Sequence, residues 1–175
     1  MLATALLVLA TPDSAQAFRI LGVSTQLQEG VYRLDADIRY DLSEPVQDAL
    51  ANSVPLIIEV TLQVRRERDW LWNETIAELT QRYQFQYHAL ARQYVVTNLN
   101  SDAISSFPTR EAAMEFMGRL RDFPLIDRSL LESDESYQVR LKVDLAIESL
   151  PAPLRPIAYL SSDWWLGSDW YAWPL

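Results

Sequence analysis

From Tyr32 the chain alternates: Tyr32, Leu34, Ala36, Ile38 and Tyr40 fall on one side, and Arg33, Asp35, Asp37, Arg39 and Asp41 on the other. Successive side chains of a strand point to opposite faces, so this run is a strand with one apolar and one charged face. Leu56, Ile58, Val60, Leu62 and Val64 repeat the pattern against Glu59, Thr61, Gln63 and Arg65. Leu79, Tyr83, Phe85 and Tyr87 do so against Arg82, Gln84 and Gln86. The clearest run is Tyr137, Val139, Leu141, Val143, Leu145 and Ile147, set against Gln138, Arg140, Lys142, Asp144 and Glu148. One-sided alternation marks antiparallel sheet with a solvated face, because buried parallel strands read apolar on both sides. Shorter strands are predicted at 19–27, 92–98 and 103–107, and Gln28-Glu29-Gly30 reads as the turn of a first hairpin.

Two helices interrupt the strands. Ser43 is placed to cap a helix from Glu44 to Asn52, with Val46, Ala49 and Leu50 on its inner side. Thr109 is placed to cap a second, from Arg110 to Arg121, whose Ala113, Phe116, Met117 and Leu120 recur at helical spacing until Phe123-Pro124 ends it. The Pro-rich stretch Leu150–Pro156 separates the last long strand from an aromatic tail. The pattern predicts a single, mainly β domain over residues 18–175: an antiparallel, sandwich-like arrangement of about seven strands with two short helices. The Pro/Trp-rich tail, residues 150–175, packs on this domain or extends it. An α+β layer, with the 110–121 helix lying on one sheet, is the close alternative.

The N-terminus reads differently. Residues 2–10 form an apolar run too short to span a bilayer, followed by Thr11-Pro12-Asp13 and then Ala15-Gln16-Ala17. Small residues at the first and third positions before a cut, after an apolar core, are what a signal peptidase reads. Residues 1–17 are therefore expected to be a signal peptide cut after Ala17, delivering the chain to a bacterial periplasm; a buried N-terminal helix is the alternative.

Composition narrows the chemistry. The 175 residues hold 15 Lys plus Arg against 24 Asp plus Glu, for a net charge of −9. That field repels phosphate backbones, so nucleic acid is not an expected partner. With no Cys and one His, the chain has no thiol nucleophile, no disulfide and no multi-histidine or thiolate metal site. No cofactor is implied. The four glycines, Gly22, Gly30, Gly118 and Gly167, make no phosphate-cradling loop, and no Ser sits in a nucleophile elbow. His88, at the end of a predicted strand, reads as an exposed or capping residue rather than a general base. Asp35 and Asp37 share a strand face, but Arg33 and Arg39 flank them there, which keeps carboxylates ionised rather than poised for acid catalysis. Glu132, Asp134 and Glu135 read as a solvated turn. No catalytic residues are assigned.

The unusual feature is aromatic. Trp164, Trp165, Trp170 and Trp173 crowd the last twelve positions together with Tyr171, while Trp70 and Trp72 follow Arg65, Arg66 and Arg68 in a predicted hairpin. Trp and Arg are enriched at binding hot spots, so these ten residues form the candidate binding surface. The competing reading is a tail that folds back as core.

The run Ala49–Leu56, the Arg65-Arg66 to Trp72 segment, and Tyr87–Leu90 through Gln93–Asn98 resemble the proteins of the domain-of-unknown-function 4390 family. So do Ser106–Thr109, Tyr137–Leu141, Leu154-Arg155-Pro156 to Trp164, and Trp170-Tyr171, in order along the chain. The resemblance implies a small exported protein of Gram-negative bacteria, often encoded near a nitrogen-regulation-type sensor kinase, and it carries over no catalytic residue. The expected function is a non-enzymatic periplasmic binding or adaptor domain that contacts an envelope protein or sensor ectodomain. A glycan-contacting protein or weak hydrolase of envelope polysaccharide is one alternative, and a purely structural domain another.

Overall fold

In a computed structural model, which describes residues 17–68 and 73–175, the alternating runs become strands with the expected parity. The signal-peptide reading of residues 1–16, and Trp70 and Trp72, lie outside the described residues. Among those described, β1 (Phe18–Gln28), β2 (Val31–Tyr40), β3 (Leu56–Arg66), β4 (Glu74–His88), β5 (Gln93–Asn98), β6 (Ile104–Phe107), β7 (Arg119–Asp127), β8 (Tyr137–Leu145) and β9 (Tyr171–Pro174) build two sheets. One has three strands in the order β1-β2-β7, the other six in the order β6-β5-β4-β3-β8-β9, and every neighbouring pair is antiparallel. The fold is thus mainly antiparallel β and sandwich-like, as the periodicity predicts.

The core lies where the apolar parities meet. Leu56, Ile58, Val60, Leu62 and Val64 of β3 and Val139, Leu141, Val143 and Leu145 of β8 are all buried, facing Phe18, Leu34, Ala36 and Ile38 of the smaller sheet. Each fully buried side chain of this kind contributes about 1.5–3 kcal/mol over leaving it in water. Phe18 meets Tyr40 edge-on, with ring centroids 5.1 Å apart. Burial pushes the Tyr40 hydroxyl pKa far above its ordinary value, so the phenol stays neutral in the core. At the β1–β2 turn, Glu29 and Gly30 both adopt positive φ, the requirement of the two-residue hairpin that the sequence suggests.

Helix α1 (Glu44–Ala51) and helix α2 (Arg110–Met117) form where predicted, with two differences. Thr109 does cap α2, its side chain accepting from the Ala112 amide at 3.2 Å. Ser43 instead donates its hydroxyl to the Asp163 carbonyl at 2.6 Å, tying α1 to the tail rather than capping the helix. The second difference is larger. The predicted helix over 110–121 stops at Met117, and residues 119–127 are β7. Gly118 forces the change: its amide turns back to Met114 while its carbonyl accepts from the Ile38 amide at 2.8 Å. A Cβ there would lie 2.2 Å from the Ile38 carbonyl oxygen, closer than any side chain allows. Pro124 is tolerated because β7 is an edge strand whose pairing with β2 is already broken by two register shifts.

The Pro-rich stretch lies between β8 and the aromatic tail, as read, and ends in an element the pattern does not predict. It carries a short helix, α3 (Arg155–Leu160), with Pro156 in its first turn, where a missing N–H costs nothing. Beyond it, Leu166 to Ser168 and then β9 line the free edge of β8. The Leu145 amide donates to the Leu166 carbonyl and the Ser168 amide to the Val143 carbonyl, both at 2.8 Å, and β9 pairs from Tyr171 opposite Leu141 to Pro174 opposite Gln138.

Candidate functional site

The tail puts its aromatic residues on different sides of the fold because each short element has its own orientation. The Trp164 ring, 5% exposed, belongs to the core, in a turn that packs between α1 and α3. Trp165, the next residue, is 66% exposed; its indole N–H donates to the Ala158 carbonyl at 3.2 Å, which holds the ring against α3. On that helix Ile157, Tyr159 and Leu160 are also exposed, Leu160 almost fully at 89%. Four large apolar side chains therefore stand in water within nine residues. Isolated exposed apolar residues are ordinary, whereas four so close in the chain make a candidate interaction surface.

In β9, Tyr171 and Trp173 share one parity, and Trp170 immediately precedes the strand. Trp173 lies opposite Val139 on the inner face and donates its indole N–H to Thr25 Oγ1 of β1 at 2.7 Å, bridging the two sheets at their edge. Tyr171, partly exposed, leans on Trp173 with ring centroids 6.1 Å apart. Trp170 turns to the outer face of β8, where the Arg140 guanidinium carbon sits 3.8 Å from its ring centroid. Burial and the neighbouring charge of Arg65 both hold the Arg140 pKa below the ordinary arginine value, without making it neutral. Beside Trp165 runs a cleft of about 360 Å³, lined by Lys142, Asp144, Ser168 and Asp169 among others.

The arginines of the candidate surface are dispersed rather than brought together. Arg66 lies on the inner parity and pairs with Glu132 at 2.6 Å above the Tyr137 ring; that hydrogen bond is the main reason its pKa is raised. Arg68 pairs with Glu74. Arg65 points to the outer face and donates to the Asn73 carbonyl at 3.0 Å. Of the sequence candidates, then, Arg65 and Trp170 share a face with Arg140 between them, Trp165 and Tyr171 are displayed, and Trp164 and Trp173 hold the tail down. Arg140, Ile157, Tyr159 and Leu160 are missing from the sequence candidates. The i, i+3 spacing of Ile157 and Leu160 after a proline is a faint helical signal, whereas Arg140 reads only as one more polar position of β8.

The acidic residues weighed for catalysis are engaged structurally. Asp37 pairs with Arg121 of β7, and Asp35 accepts the Asp122 amide at 2.8 Å, so their partners come from β7 rather than from Arg33 and Arg39 of their own strand. Arg33 pairs with Asp122 instead. A larger cleft of about 610 Å³ beside α2 has Leu21, Tyr40 and Met114 on its walls, and its carboxylates Asp41 and Glu111 are paired with Arg19 and Arg110. His88 is exposed at the end of β4. Among the described residues no group of three or more His, Cys, Asp or Glu could hold a metal ion, and no helix is long and apolar enough to cross a membrane.

Fold and surface together define a small two-sheet antiparallel domain that closes its own edge with an aromatic tail and displays part of that tail. The chain belongs to the DUF4390 family, a domain of unknown function whose model matches residues 15–174. No curated protein and no solved structure matches it.

Proposed function

We propose that this is an exported, non-enzymatic binding domain of the bacterial periplasm, and that it docks a protein of the cell envelope through α3 and Trp165. The observation that carries this reading is the exposed cluster of Ile157, Tyr159, Leu160 and Trp165. Leaving such side chains in water forgoes on the order of 1.5–3 kcal/mol each, a gain that a partner would recover on covering them. The Trp165 ring is held by its hydrogen bond to the Ala158 carbonyl, so that side chain loses little rotamer entropy on docking. Cleavage after Ala17 would leave the Phe18 nitrogen donating to the Gly167 carbonyl, as its amide does at 3.2 Å, and so keep the new N-terminus against the tail.

The test is site-specific photo-cross-linking in cells, with a reactive residue at Trp165 and a control at Leu90, which is exposed in the β4–β5 turn. The expected result is one envelope protein captured from position 165 and not from 90, with capture abolished by Leu160→Glu. Equal capture from both positions, or capture that survives Leu160→Glu, would reject the docking surface. Adducts to envelope polysaccharide instead of protein would favour the glycan-contacting reading, which the Trp165 ring beside a polar cleft also suits.

A further inference from the structure

On the outer face of the larger sheet, charge pairing is almost complete. Arg82 meets Glu59 at 2.7 Å, Lys142 meets Asp144 at 2.9 Å, and Gln63 donates to Glu78 at 2.6 Å. Two guanidinium groups stand outside this scheme. Arg65 lies opposite Gln138, and Arg140 opposite Gln63, so the two arginines are diagonal neighbours on adjacent strands, about 7–8 Å apart at the backbone. Neither has a carboxylate within ion-pair distance among the described residues, and each has a buried Nε without a hydrogen-bond partner. Arg140 makes no hydrogen bond to any described residue; its guanidinium stacks under the Trp170 ring. Like charges placed together without a counter-ion are unfavourable; Arg65 spends one donor on the Asn73 carbonyl at 3.0 Å, whereas Arg140 forgoes the charge-assisted hydrogen bonds that are a guanidinium's strongest interactions.

We propose that Arg140 and Arg65, roofed by Trp170, form a recognition site for a carboxylate on an acidic peptide segment. The ring covers one face of the Arg140 guanidinium and its Nε is buried, so the two terminal NH2 groups are the donors a planar carboxylate would meet with two parallel hydrogen bonds. Glu67 and Glu78 sit on the same face but are held by Gln138 and Gln63, so neither is ion-paired with the two guanidinium groups. This site rests on residues other than those of the α3 cluster, so either can fail without the other.

The experiment is ¹⁵N NMR of the arginine Nε–Hε groups in the intact domain, assigned with Arg140→Lys and Arg65→Lys and titrated with a capped hexaglutamate peptide. Sodium phosphate and sodium chloride at matched ionic strength are the comparison arms. The expected result is a saturable shift of the Arg140 and Arg65 signals with hexaglutamate. Arg140→Gln should weaken binding at least tenfold while the unfolding midpoint moves by no more than about 2 °C. Arg140→Lys should lose most of the binding too, since it keeps the charge but not the fork. No saturation at millimolar peptide, a shift that sodium chloride reproduces, or tighter binding of phosphate than of peptide would each overturn the assignment.

Discussion

Trp164 and Trp165 are consecutive, yet the first is packed in the core at 5% exposure while the second stands at 66% against the outside of α3. The same division runs through the whole tail. Ser168 and Trp173 face inward with hydrogen bonds to β8 and β1, Trp170 faces outward over Arg140, and Tyr171 lies beside Trp173 with its ring partly exposed. The difference teaches that one short segment serves two purposes. Its inward half completes the sheet edge that β8 would otherwise leave open, and its outward half displays aromatic surface on a support that cannot drift. An unpaired edge strand invites non-specific pairing, and covering it with the protein's own tail removes that hazard.

Substitutions sharpen this division, beginning with the largest effect. Trp164→Ala empties a core site and is expected to cost about 3–5 kcal/mol in denaturant unfolding. Ser168→Ala leaves the buried Val143 amide without its 3.0 Å acceptor, an expected loss of about 1–3 kcal/mol by the same measurement. Trp173→Phe keeps most of the packing but deletes the hydrogen bond to Thr25, for about 0.5–1.5 kcal/mol. Trp170→Ala removes only the stack on Arg140, about 0.5–1 kcal/mol. Trp165→Ala is expected to leave stability within about 0.5 kcal/mol while abolishing cross-linking of the α3 face. If Trp165→Ala destabilises as much as Trp164→Ala, the two halves are not separate.

How much of this was legible in the sequence follows from where the information sits. The β3–β8 ladder was readable because each strand carries its own period-two record, and Val60 beside Val143 needs no knowledge of the other to point inward. The β7 segment was not, because Ala113, Met117 and Leu120 continue a helical spacing across Gly118, and only the approach of Ile38 shows that the helix must stop there. In the tail, Ser162-Asp163-Trp164-Trp165-Leu166 has no period, and its orientations are set by contacts with α1, α3 and β8. Composition was enough to single out Trp and Arg as surface candidates. It could not tell that Trp164 is core, that Arg66 and Arg68 are already paired, or that Arg140, thirty residues earlier in the chain, lies beneath Trp170.

The most direct test of the divided tail is hydroxyl-radical footprinting by mass spectrometry, on the purified domain and in intact cell envelopes. Trp165 and Tyr159 should label strongly in the purified domain and be protected in the envelope, while Trp164 stays protected in both. Labelling of Trp165 that is equal in the two settings, or strong labelling of Trp164 in the purified domain, would contradict the account.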